Sequence, residues 1–210
     1  MNMRELQKQA LEPEVKKLGA SISWGDDLTG VPEFDREPSF ISRLLPASSD
    51  RFEKIPVGSR LEVSPESSKA VREMGKLIQN GGAGLVIDYG ADRVFSDSMR
   101  IVDIFQNPGK CDLTANVDFA YLRESLEGVA SAQGPITQAK FLLSLGLEPR
   151  LAKLISSARD EERRQRIRDG AMRLINTSGM GNQYQVMGIV PEKVAADVYP
   201  FPPASKVLKP

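Results

Sequence analysis

The 210 residues contain no histidine and only one cysteine, Cys111. Without histidine, neither the Ser-His-Asp nor the Cys-His arrangement of nucleophilic catalysis can be built. A single thiol cannot close an internal disulfide, and with no imidazole beside it the usual structural zinc sites are excluded, so no metal is expected. No sign of charge is in excess, since 28 Lys and Arg face 28 Asp and Glu. No global pull toward nucleic acid or an anionic membrane follows, and any partner must be recognised locally. No apolar run has the length that a bilayer requires, so membrane insertion is not expected. The opening MNMRELQKQALEPEVKK lacks an apolar secretion segment and mixes Glu5, Glu12 and Glu14 with Arg4, Lys8, Lys16 and Lys17. Organellar import peptides avoid acids, so no import signal is visible. Finally, no G-x-G-x-G or G-x-G-x-x-G occurs, and GGAG at 81–84 precedes an apolar run instead of following one.

What is present reads as one α/β chain without internal repeats. Residues 1–18 form a polar helical pattern with Leu6, Ala10 and Leu11 on one side, broken by Pro13. Ile22 and Trp24 begin a short strand before an acidic, glycine-containing loop. From Glu33 to Gly58, prolines and charges argue against regular structure. Ser64 before Pro65 and Glu66 is a helix start, because the serine oxygen caps free N–H groups and proline is tolerated in the first turn. Ala70, Val71, Met74, Leu77 and Ile78 then share a helical face, and Asn80, Gly81 and Gly82 end it. GLVID at 84–88 is an unbroken apolar run, which predicts a strand covered on both faces, as in a parallel sheet. Helices are predicted over 116–126, from the cap Thr137 to Gly146, and over most of 148–175. Residues 184–190 form the last strand candidate, before a Pro-rich tail over 191–210 expected to be disordered.

Ligands of open parallel sheets sit beyond the carboxyl ends of the strands, which makes Asp88, with Tyr89 and Gly90, the candidate catalytic position. The structural alternative is that Asp88 caps the following turn while Tyr89 packs. Trp24 beside Asp26 and Asp27 offers an aromatic face and two carboxylates that could flank an adenine and its amino group, or simply a half-buried ring before a solvated turn. Asp112 and Asp118 could hold a cationic substrate, but both suit helix N-termini, where a carboxylate satisfies the dipole, and that structural role is preferred. The run RDEERRQRIR at 159–168 alternates sign at helical spacing and reads as a solvated face.

RLEVSPES at 60–67, GGAGLVIDYG at 81–90, PGKCDLTANVDFAYL at 108–122, QGPITQAKFLLSLGL at 133–147 and MGNQYQVM at 180–187 resemble, in order, the successive motifs of the MidA family of protein arginine methyltransferases. LQKQAL followed by ISWGDDLTGVP resembles the stretch after that family's ribose-binding acid. The resemblance implies a C-terminal portion, with internal deletions, of a Rossmann-like class I methyltransferase fold lacking its first strands. It implies S-adenosylmethionine as donor and symmetric dimethylation of an arginine in a complex I subunit, in the mitochondrial matrix. It also implies an organisation: 1–34 a remnant of the N-terminal half, 35–59 an irregular junction, 60–190 the C-terminal half and 191–210 a tail.

Three departures from the family pattern bear on activity. The glycine-rich donor loop and the ribose acid have no counterpart in these residues. DREPSFISRLLPASSD stands where the family has a strand ending in a motif like NEFFDALP, and SMRIVDIF is shorter than its counterpart, which usually carries a histidine. Two functions follow as expectations. The first is an arginine methyltransferase, with Asp88 at the substrate and Trp24, Asp26 and Asp27 at the donor. The second is a catalytically inactive truncated form or interaction module that does not bind donor.

Overall fold

A computed structural model describes residues 21–24, 32–35, 49–53, 55, 61–96, 98, 114–194 and 198–202. The chain divides into two compact units, residues 1–70 with 93–122, and residues 71–92 with 123–210.

In the first unit, β1 (Ser21–Trp24) pairs antiparallel with β2 (Pro32–Asp35), Trp24 standing opposite Pro32. A one-turn helix, α1 (Asp50–Glu53), follows. The stretch read as irregular thus contains a strand end and a helical turn. Phe52 projects from α1 into a cluster with Leu61, Val63 and Tyr121, its ring 5.5 Å from that of Tyr121. Ile55 and Val94 pack against the cluster. Glu62 donates its backbone N–H to the Phe95 carbonyl at 3.0 Å. The short β4 (Val117–Asp118) leads directly into α3 (Phe119–Ser125), a helix shorter than the pattern predicts.

The helix predicted from Ser64 is present as α2 (Pro65–Ile78), with the Ser64 hydroxyl accepting the Ser67 N–H at 3.3 Å. Positive φ angles at Gly81 and Gly82 turn the chain out of the helix. The buried stripe runs through Val71 and Gly75, and Leu77 is 84% exposed. The apolar face is therefore rotated from the predicted one, because Gly75 lets α2 approach Leu126, Val129 and Ala130 closely.

The second unit holds three strands in the order β3-β6-β5: β3 (Gly84–Ala91), β6 (Tyr184–Val190) and β5 (Ser131–Thr137). Both pairings are antiparallel, so the β6 side of β3 is not the parallel setting expected of it. β3 also runs three residues beyond Asp88. Opposed residues in an antiparallel pair share a face. One face therefore carries Gly84, Val86, Met187 and Ile189, with Met74 of α2 lying against Gly84. The other carries Leu85, Ile87, Val186 and Ile136. Over its β5 and β6 portion lies Phe201, packed with Ile136 and Val186 and flanked by Phe141 and Val198. Residues 198–202 are thus held on the sheet where composition predicted disorder. Along β3 the same face is open, Leu85 being 50% and Ile87 48% exposed.

The remaining helices are α4 (Gln138–Ser144), α5 (Leu147–Ser156), α6 (Glu161–Ile175) and α7 (Met180–Gln183). Thr137 caps α4 as predicted, accepting the Lys140 N–H at 3.3 Å, and Asp160 caps α6 through Arg163 at 2.7 Å. Glu161 forms ion pairs with Arg164 and Arg168 on the exposed face of α6. Among the described residues no helix is long and apolar enough to cross a membrane.

Candidate functional site

Asp88 lies on β3 opposite Gln185 of β6, and Tyr89 lies opposite Tyr184. The two tyrosine rings approach to 3.9 Å between centroids at a 41° tilt. Alternation along the strand puts Asp88 on the face away from that pair. Its side chain is exposed and accepts the N–H of Tyr89 at 2.7 Å. The capping alternative is not realised, because β3 continues to Ala91 and no turn follows Asp88; the carboxylate instead accepts the next N–H within the strand and faces solvent. Just past β3, Asp92 pairs with Arg123 at 2.8 Å, and Arg123 also donates to the Gly134 carbonyl.

The first unit holds a second constellation. Asp118, the last residue of β4, accepts the Tyr121 N–H at 3.0 Å and caps α3. The same carboxylate takes Nη2 of Arg51 at 3.2 Å and 3.0 Å on its two oxygens. The helix-cap reading of Asp118 is thus realised, and the same carboxylate also holds a guanidinium of its own chain. Nearby in sequence, the buried Glu62 carboxylate accepts the Ser98 N–H at 2.7 Å and also the Ser98 hydroxyl, which in turn accepts the Asn116 N–H at 2.8 Å. A buried carboxylate needs such donors to offset lost hydration.

Arg51 and Glu62 were not singled out by sequence reasoning. Arg51 sits in a stretch dominated by proline and charge. Glu62 did carry a signal, a carboxylate between Leu61 and Val63 with both neighbours in the core. Of the remaining candidates, Trp24 ends β1, whereas Asp26, Asp27 and Asp112 lie outside the described residues.

A donor such as S-adenosylmethionine needs a strand followed by a glycine-rich turn whose N–H groups meet the ligand. β3 runs on into Asp92, β4 into α3, β5 into α4 and β6 into Pro191. None of these four strands opens onto such a turn, so the described residues do not form a donor cradle.

Residues 33–136 match the model of a family of S-adenosyl-L-methionine-dependent methyltransferases. The chain is 34% identical to the human mitochondrial protein arginine methyltransferase NDUFAF7, over 85% of this chain and 51% of that protein. The chain belongs to this methyltransferase family. Another family member, the cow protein of the same name, is 30% identical with the same coverage, and the zebrafish one 36% identical over 80% of this chain and 42% of its own. The chain thus spans about half the length of the curated relatives it matches. Two solved structures from Burkholderia thailandensis share the fold, each at 24% identity over 82% of this chain. An uncharacterized protein matches with a TM-score of 0.66 over 48% of its own length. A protein of the same superfamily bound to S-adenosyl-homocysteine matches with a TM-score of 0.65 over 47%. The family fold is the α/β methyltransferase fold, as expected from the resemblance.

Proposed function

We propose that this chain is the C-terminal portion of a mitochondrial protein arginine methyltransferase that acts on a complex I subunit in the matrix, and that it contributes the substrate side of the domain. The observation that carries this reading is the match over 85% of the chain to relatives named as arginine methyltransferases. Exposed Asp88 is the carboxylate offered to the target arginine, where it orients the guanidinium and accepts charge as the nitrogen loses its proton. Trp24, Asp26 and Asp27 flank the adenine of the donor. Methyl transfer requires the target nitrogen in line with the donor methyl, so a complete donor cradle is indispensable to it.

A second reading is a form that does not bind donor and acts, if at all, through protein contacts. It is favoured by the lack of a glycine-rich turn after β3, β4, β5 or β6 and by the open apolar face of β3. Calorimetric titration of S-adenosylmethionine into the folded 210-residue chain separates the two. Saturable micromolar binding that weakens on Trp24→Ala supports donor use by this chain. Absence of heat from a folded sample assigns the activity elsewhere and leaves this chain the second role.

A further inference from the structure

The carboxylate of Asp118 is 9% exposed and held in place by the Tyr121 N–H, while the Arg51 side chain that reaches it is 30% exposed. Arg51 therefore runs from the surface down to a fixed, nearly buried acceptor. Its engagement is incomplete. One nitrogen, Nη2, reaches both carboxylate oxygens, and Nη1 is buried without a hydrogen-bond partner. A guanidinium free to choose its approach binds a carboxylate with two parallel N–H bonds, one per oxygen. Arg51 does not take that pose and leaves a buried donor unsatisfied, which costs free energy. It is carried on α1, a single turn held in place by the packing of Phe52.

We infer that Asp118 is a second carboxylate, besides Asp88, that binds a guanidinium of the protein substrate, and that Arg51 occupies it as an internal, imperfect stand-in which an incoming arginine side chain displaces. The choice of ligand rests on the arginine-methyltransferase reading above; the geometry of the carboxylate does not. Planar, forked recognition predicts preference for arginine over lysine, because an ammonium offers no paired donors in one plane.

The test is titration of Nα-acetyl-arginine methylamide, without donor, into the full chain and its Arg51→Gln variant, with folding checked by circular dichroism. Arg51→Gln should bind saturably and at least tenfold more tightly than the wild type. The lysine analogue should bind at least tenfold more weakly than the arginine one. Adding Asp118→Asn should abolish binding; asparagine remains a good N-cap, so α3 keeps its start. Should Arg51→Gln not fold, Arg51→Lys, which keeps a cation over the carboxylate, takes its place with a smaller but Asp118-dependent gain. A folded variant with no Asp118-dependent arginine binding overturns the proposal, and so does equal binding of the lysine analogue. Because no methyl donor is present, arginine binding without S-adenosylmethionine binding would sink the enzymatic reading alone, and the reverse result would sink only the stand-in.

Discussion

Single side chains in this molecule show how a charge is tolerated or used according to what surrounds it. Glu62 is buried between core residues and is satisfied by the N–H and hydroxyl of Ser98, so Glu62→Leu would strand those donors. Stranding buried partners costs about 1–3 kcal/mol by mutational precedent, and urea unfolding should show that loss with an unchanged slope. Glu161 is the opposite case, fully exposed on α6. Hydrogen bonds from Arg168 and then Arg164 hold its carboxyl below the usual 4.5. A lowered folded-state value means the pairing contributes above the unfolded value and is lost as pH falls through the folded one. A carbon-detected titration should therefore place the Glu161 midpoint below 4.5, rising toward that value in the Arg168→Gln variant. Asp118 shows the limit of reading residues alone, since CDLTANVDF favours a cap and gives no sign of the cation that the carboxylate also holds. Only the arrival of Arg51, 67 positions away in sequence, shows that one carboxylate does both.

Among the secondary-structure elements, the legible ones carry their own punctuation. Ser64 with Pro65 announced α2, Thr137 announced α4, and the Tyr184–Val190 strand was bounded as predicted. β5 was not legible, because SAQGPIT has a Gly-Pro at its centre and no apolar alternation; it exists through its pairing with β6 across an irregular register. The antiparallel β6 beside β3 was not legible for a related reason: an unbroken apolar run signals burial but not the direction of the neighbour. Likewise the Pro-rich composition of the tail hid Phe201, one aromatic residue whose ring takes the space above two glycines. A Cβ at Gly188 would come within 2.7 Å of that ring, and one at Gly134 within 2.9 Å. Gly188→Ala should therefore destabilise the protein by forcing the ring aside, and Phe201→Ala alone should cost about 3 kcal/mol as a large core truncation. Calorimetric melting of the double variant should be less than additive, because each change removes the partner of the other. At α4, Thr137→Ala should cost about 1 kcal/mol, read by the same melts.

At the scale of the whole molecule, a formally neutral chain keeps an apolar strip, Leu85 and Ile87, open to water. With no net repulsion to keep copies apart, such a strip promotes self-association. Leu85→Lys with Ile87→Lys should reduce association in sedimentation experiments and leave the melting temperature nearly unchanged, whereas an apolar core role would lower it by many degrees. The family fold was recognisable from motif order before any geometry, whereas the antiparallel pairings of β6 and the two compact units emerged only in three dimensions. That sheet also sets a schedule. Its middle strand, β6, is the last of the three in sequence, and both neighbours depend on it for their hydrogen bonds. On a translating ribosome, β3 must wait for roughly ninety further residues, about 5–20 s of synthesis at common rates, before β6 exists. Through that interval the nascent chain carries β3 without its β6 partner, and a chaperone that binds apolar segments would find its opportunity there, well before the polypeptide is released.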